Sequence, residues 1–199
     1  MTMTWMELLG SALSIWAVWL TARRRMLSFP IGMLSVIVYA WIFVRAQLYS
    51  DTLLQILFAG FILYGWVRWI RNLDDDGRVR IAPLPSRRAW ISALVGAVGA
   101  VLLGWTMHRY TDASLPWLDA ALTAFSLVAQ YWQDRRHTAA WWLWIVVDTI
   151  YIGEYIYKDL YITSALYAVF VGLAVIGLRA WQQVEQASAP QSVCAPDVP

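Results

Sequence analysis

The chain has 199 residues, of which 60% are hydrophobic, 15% aromatic and only 14% charged, with a mean hydropathy of +0.53. So little charge cannot clothe a water-soluble domain of this size, so an ordinary soluble fold is excluded and the chain belongs with membrane proteins. The net charge is +2, and the single cysteine, Cys194 in a polar tail, leaves no disulfide framework or thiolate metal cluster.

Crossing about 30 Å of hydrocarbon takes about 20 apolar residues. Seven stretches predict such spans: Leu8 to Ala22, Leu27 to Val44, Thr52 to Val67, Ala89 to Met107, Ala120 to Trp132, Thr138 to Tyr157 and Leu160 to Leu178. The first follows no basic region and precedes no small-residue cleavage site, so it reads as a retained helix rather than a signal peptide. The fifth is the shortest and needs Asp119 and Gln133 to reach the interfaces. Beyond Trp181 the chain turns to Gln, Ser, Ala and Pro, and residues 184–199 are expected to be a disordered tail.

Loop charges set the orientation. Arg23 to Arg25, Arg71, Arg78, Arg80, Arg87, Arg88, Arg135, Arg136 and Arg179 all fall on one face of an odd-numbered bundle. The other face has Arg45, Arg109 and Lys158, each near a carboxylate in sequence: Asp51, Asp112 and Asp159. The basic face is predicted cytoplasmic, with the amino terminus outside and the carboxyl terminus inside.

A repeat organises the chain. Shifted by 112 positions, Leu48 to Trp69 lies on Leu160 to Trp181 without a gap, and the same offset carries Ser14 onto Ser126, Arg24 onto Arg136 and Tyr39 onto Tyr151. Helices one to three therefore repeat as five to seven, around a linker helix. The prediction is an all-α membrane protein of two parallel three-helix bundles, residues 1–71 and 117–183, joined by a cytoplasmic loop and linker helix over 72–116. Such designs hold a substrate between the bundles near the midplane.

An ionisable group inside a span costs about 2.5 to 3.5 kcal/mol on insertion scales. Asp148 sits about 15 Å into helix six, at 1.5 Å per residue, whereas Glu154 lies nearer the outer end and can snorkel. Trp141, Trp144, Asp148, Tyr151 and Tyr155 advance by 3 or 4 and share one stripe. A carboxylate among aromatic faces suits a flat, cationic or amine-bearing ring. Trp144, Asp148 and Tyr151 are predicted substrate contacts, and Trp141 is expected in an interfacial belt. Asp119, Thr123, Ser126 and Gln130 form a stripe on helix five. Ser11, Ser14, Thr123 and Ser126 read as helix-packing hydroxyls, Gln130 as a candidate contact, and Gln55 as either a ligand or an interhelical bridge. Asp148 aligns with Val36 and Gln55 with Tyr167, so the site is lopsided on a nearly symmetric scaffold.

Trp5-Met-Glu-Leu-Leu-Gly10, Leu48-Tyr49, Leu54-Gln55, Tyr64-Gly65-Trp66 with Trp69, Trp141 with Trp144, and Leu160-Tyr161 resemble the PnuC family of nicotinamide riboside transporters, over Trp5 to Trp181. The resemblance implies a fold similar to the SWEET sugar transporters, a homotrimer, and facilitated diffusion of an unphosphorylated vitamin that a cytosolic kinase traps. It implies a substrate site that includes Gln55, Trp66 and Trp144, to which the residue pattern adds Asp148, Tyr151, Gln130 and Tyr39. Where the family typically has Asn, this chain has Ser35, Ile62, Asp148 and Ile176. Nicotinamide riboside is the expected substrate, with thiamine, also a cation, as the alternative; the location is a bacterial inner membrane.

Other classes fit less well. His108 and His137 lie at span ends, and no paired-carboxylate or His-Glu-x-x-His spacing supports an enzyme. A retinal protein needs a Lys within its last helix, and Lys158 precedes it. No nucleotide-binding loop supports pumping, and neither a cofactor nor nucleic acid is expected. A structural membrane protein would explain the aromatic content but not a mid-span Asp.

Overall fold

The computed structural model describes residues 5–45, 49–111 and 114–187, with the backbone alone at 49–51 and 53. Each predicted span falls on one helix: α1 Trp5–Ala22, α2 Ser28–Arg45, α3 Tyr49–Ile70, α4 Ser86–Tyr110, α5 Pro116–Asp134, α6 Ala139–Tyr157 and α7 Tyr161–Ala187. Helices α1, α2, α4 and α7 are long and apolar enough to cross a membrane on composition alone, and α3 carries a shorter apolar stretch, Leu54–Ile70. In α5 and α6 the polar and aromatic stripes lower the hydropathy. Local sequence starts α5 well: Pro116 stands at the first positions, where its missing N–H is harmless, and Asp119 faces the positive end of the helix dipole.

Helix α7 runs to Ala187, so Val184 to Ala187, expected in the tail, are helical. Gln182, Gln183, Glu185 and Gln186 are good helix formers and prolong the helix after its apolar run ends. The rest of that tail, with Cys194, lies outside the described residues, as do Leu48 and Asp112 and the side chain of Asp51.

Helix α2 packs on α1 and α3, α6 packs on α5 and α7, and the two groups meet through α1 with α7 and α3 with α5. Among the described residues α4 packs against α5. The 112-residue offset reappears in the backbone. Arg24 and Arg136 both take left-handed conformations, φ 56° and 67°. At the first corner Arg24 N–H donates to Thr21 and Arg25 N–H to Leu20; at the second, Arg136 donates to Gln133 and His137 to Trp132. Each is a Schellman ending, built on Arg where Gly is usual, at about 1–2 kcal/mol each.

One strap, residues 71–85, binds both corners. Arg24 Nη1 donates to the Val79 carbonyl (2.8 Å) and Val79 N–H to Arg24 O, while Arg136 Nη1 donates to Arg80 O (3.0 Å) and Ala82 N–H to Arg136 O. Leu73 bridges Val79 around Gly77, whose φ of 67° lets the turn close. Val79, fully buried, enters an aromatic seal made of Phe29, Trp69, Trp141 and Trp181. Phe29 meets Trp69 edge-on at 4.9 Å, Trp69 meets Trp181 at 6.0 Å, and Trp141 meets Trp181 edge-on at 5.5 Å. Trp181 Nε1 donates to Ala22 O, pinning α7 to α1. Phe29 with Trp141, and Trp69 with Trp181, are pairs related by the same offset.

His137 sits where the strap meets the second corner. Its Nδ1–H donates to Ala82 O at 2.9 Å, and Nε2 is buried without a partner. Burial pulls its pKa below the ordinary 6.5, opposed by the Ala82 carbonyl and reinforced by Arg88, Arg135 and Arg136. The unfolded chain thus takes up this proton more readily, so the stability due to neutral His137 is complete above about pH 6.5 and is lost as pH falls. The thermal midpoint of detergent-purified protein is expected to drop between about pH 7 and about pH 5.5 more steeply than that of His137→Gln, which keeps a donor but does not titrate. Equal slopes would remove His137 from the acid response.

Candidate functional site

A cavity of about 670 Å³ lies between the two helix groups, within the range usual for small-molecule sites. It extends along α5 and α6 from Asp119 and Lys158 at one end to Gln133 and Trp141 at the other, where Trp141 is part of the seal. Helices α1, α2, α3 and α7, through residues such as Ser14, Tyr39, Gln55 and Tyr167, and Met107 of α4 complete the wall.

Six of the seven predicted site residues line this cavity: Asp148, Trp144, Tyr151, Gln55, Gln130 and Tyr39. Asp148 is 6% exposed, and among the described residues its carboxyl accepts no hydrogen bond. Beside it Tyr151 stacks on Tyr155 at 5.7 Å, and both rings meet Tyr167, at 4.9 and 5.1 Å. Tyr39 is held from behind: its hydroxyl bonds Ser11 Oγ at 2.8 Å, its ring stacks on Phe43, and Gly10 gives it room, since a Cβ there would stand 3.0 Å from the ring. Trp144 Nε1 donates to Gln133 Oε1 at 2.8 Å, and Gln130 Nε2 donates to Asp134 Oδ1 at 3.0 Å.

Trp66 is the exception. It stacks on Phe29 (6.2 Å, 7° between planes) and packs against the seal rather than lining the cavity. It does share a face with Gln55, but three turns lower that face meets α2 instead of open space. Trp141, expected in an interfacial belt, is 1% exposed and seated against Gly177, where a Cβ would come within 2.7 Å of its indole. The hydroxyls do tie helices together: Ser35 donates to Gly10 O (3.1 Å) and Ser14 bonds Ser35 (2.6 Å), joining α1 to α2, while Ser14, Ser35, Thr123 and Ser126 also face the cavity. Sequence reasoning missed Gln133 and Tyr167 on the wall and Asp134 behind it. The signal for Gln133 and Asp134 was present in the spacing, since they stand 3 and 4 residues after Gln130 and so lie on its side of the helix.

Comparison with known proteins is consistent with these features. The family model of the nicotinamide mononucleotide transporter matches residues 4–183. The nicotinamide riboside transporter PnuC of Escherichia coli (strain K12) is 23% identical over 204 residues, which cover 90% of this chain and 85% of that protein. The riboflavin/roseoflavin transporter RibM of Streptomyces davaonensis is 29% identical over 182 residues, covering 89% of this chain and 84% of its own. Among solved structures, the crystal structure of the vitamin B3 transporter PnuC shares the fold, with a TM-score of 0.75 at 21% identity over 92% of this chain and 83% of that one.

The far end of the cavity carries its densest charge. Lys158 Nζ donates to Asp119 Oδ1 at 3.0 Å and to Glu154 Oε1, linking the start of α5 to the end of α6. Glu154 therefore does not snorkel: it is 4% exposed, and its second oxygen is buried without a partner. Nor does Lys158 pair with the adjacent Asp159, whose left-handed φ of 57° turns the chain away and whose carboxylate takes the Tyr161 hydroxyl. Burial pulls the Lys158 pKa down, but the two carboxylates outweigh it and hold the ammonium above its ordinary value. Removing the cation leaves Glu154 uncompensated. Lys158→Met is expected to cost about 2 kcal/mol, less than the usual loss on breaking a buried pair because the ammonium is partly exposed. Adding Glu154→Gln should restore part of the loss; a thermal midpoint of the double variant no higher than that of Lys158→Met would show that the cluster does not bear this cost.

Proposed function

The chain belongs to the nicotinamide mononucleotide transporter family, and from that membership we propose that it carries nicotinamide riboside across a bacterial inner membrane by facilitated diffusion. The observation that carries the reading is Asp148, a carboxyl with no hydrogen bond or ion pair among the described residues, in a cavity walled by Trp144, Tyr151, Tyr155 and Tyr167. A pyridinium ring satisfies such a site twice, by charge pairing and by ring stacking.

Charge supports a nucleoside rather than a nucleotide. The cavity wall bears three carboxyl groups, Asp119, Asp148 and Glu154, against one ammonium, Lys158, so a phosphate would meet like charge. An uncharged or cationic vitamin enters freely, and phosphorylation by a cytosolic kinase would prevent its return. Downhill movement needs no coupled energy, in keeping with the lack of a nucleotide-binding loop in the sequence.

Orientation follows from charge: the end that bears Arg24, the strap arginines and Arg136 is cytoplasmic, with the amino terminus outside. On this reading α1 to α3 and α5 to α7 are two bundles, α4 links them, and the seal is the cytoplasmic gate. Assembly as a homotrimer rests on the family resemblance. Thiamine is the second reading, because its thiazolium would pair with the same carboxylate; riboflavin, the cargo in the name of the Streptomyces relative, is neutral and gains least from it.

Tryptophan fluorescence of the purified protein, titrated in turn with nicotinamide riboside, thiamine and riboflavin, is expected to rank them in that order. Asp148→Ala should weaken nicotinamide riboside at least about tenfold, the value of one lost charge-assisted contact, with the fold intact. Asp148→Asn should weaken it less than it weakens thiamine. Parent-like binding by both variants would remove Asp148 from the site, and tightest binding of thiamine would replace the substrate.

A further inference from the structure

Two glutamines at the lower end of α5 are each held by a partner that leaves one polar atom free, and the free atoms are of opposite kind. Gln130 lines the cavity, and its amide nitrogen donates to Asp134 Oδ1 at 3.0 Å. That leaves its carbonyl oxygen, an acceptor. Gln133 also lines the cavity, and its carbonyl is taken by Trp144 Nε1–H at 2.8 Å, which leaves its NH2, a donor. Residues three apart on a helix are neighbours, with Cβ atoms about 5–6 Å apart. The wall thus offers an acceptor beside a donor, the complement of one primary carboxamide.

We propose that Gln130 and Gln133 clamp the carboxamide of the substrate, that Asp134 is a positioning residue which sets the atom Gln130 presents, and that Trp144, besides walling the cavity, sets the atom Gln133 presents. The inference rests on the nicotinamide riboside reading and adds to it a register for the ligand. Asp148 lies one turn above Trp144 on α6, about 6 Å along the axis, so a ring whose amide is clamped at Gln130 and Gln133 brings its cationic nitrogen toward the carboxylate. The ribose then extends away from the seal, toward Tyr39 and Ser14.

Asp134 acts from behind the wall. It is 2% exposed, and its second oxygen is buried without a partner. It is lodged against Gly65 of α3, where a Cβ would stand 2.8 Å from the carboxyl carbon and 3.0 Å from the Phe29 ring. The glycine thus makes room for a carboxylate from the other helix group.

The test compares nicotinamide riboside with nicotinic acid riboside, which replaces the amide by a carboxylate and so lacks the donor. Tryptophan fluorescence titrations of the parent should favour the amide. In Asp134→Ala, Gln130 is free to rotate, and the preference is expected to narrow about three- to tenfold, the amide binding more weakly while the acid binds no worse or better. Gln130→Ala should narrow it to the same extent, and the double variant no further, since Asp134 acts through Gln130. Gly65→Ala, which keeps the carboxylate but displaces it, and Trp144→Phe, which frees Gln133, should each narrow the preference too, and they carry the test if Asp134→Ala does not fold. Equal weakening of both ligands, or additive effects of Asp134→Ala and Gln130→Ala, would reduce Asp134 to a packing residue and overturn the proposal. A parent that binds neither riboside would instead fail the substrate reading itself, and the clamp with it.

Discussion

A carboxyl group at mid-depth in an apolar helix is tolerable only where it faces a partner or an open, polar space, because hydrocarbon solvates neither its charge nor its hydrogen bonds. Asp148 meets that condition by facing the cavity, and among the described residues it takes no hydrogen bond or ion pair. The rest of the architecture follows from keeping that space open and closed to lipid. Helices α1, α2, α3, α5, α6 and α7 all contribute wall, their apolar sides face outward, and the hydroxyls that tie α1 to α2 turn toward the same interior. The charge cluster at the far end of the cavity obeys the same constraint by another route: Glu154 is buried where the Lys158 ammonium, shared with Asp119, offsets its charge.

Symmetry and its breakage divide the labour. Positions related by the 112-residue offset make the parts that hold the molecule shut: the Schellman corners at Arg24 and Arg136, the seal pairs Phe29 with Trp141 and Trp69 with Trp181, and the glycines at 65 and 177 that let large groups approach. On the cavity wall the offset still pairs Tyr39 with Tyr151 and Ser14 with Ser126, but it leaves the carboxyl and amide groups proposed for recognition unmatched. Asp148 answers to Val36, Gln55 to Tyr167 and Asp134 to Ala22. A repeated scaffold can lock with like contacts on both sides, but one asymmetric molecule needs different chemistry on each.

The helices and the repeat were legible because both are periodic signals that survive without knowledge of packing. The Asp148 stripe was legible for the same reason, since helical spacing fixes which residues share a face. Depth and partner choice were not. Trp66 lies on the face of Gln55, yet at its level that face is filled by Phe29, a fact set by how α2 and α3 cross. Lys158 sits beside Asp159 in sequence but reaches Glu154 one turn back and Asp119 on another helix, as the left-handed turn at Asp159 dictates. Asp134 went unread, because spacing places it near Gln130 on the helix but nothing local announces that Gly65 of α3 packs against it. The pairing of Arg24 and Arg136 with one strap is likewise a product of tertiary closure between segments more than fifty residues apart.

The seal and the recognising wall are not separate devices. Trp141 belongs to both, and Asp134, which fixes Gln130, is lodged against Gly65 of the opposite helix group beside the seal residue Phe29. A carrier that opens at the strap end must part Trp69 from Trp181 and Trp181 from Ala22, contacts that span the two groups. The same separation moves Gly65 from Asp134 and slackens the constraint on Gln130. On the proposed reading, opening would therefore loosen the site it exposes, and a substrate held by the closed wall would be weakly held by an open one. Differential affinity between two states is what lets a ligand bias a conformational equilibrium, and on the proposed reading it would be set by Gly65 and Asp134, which do not line the cavity, acting through Gln130.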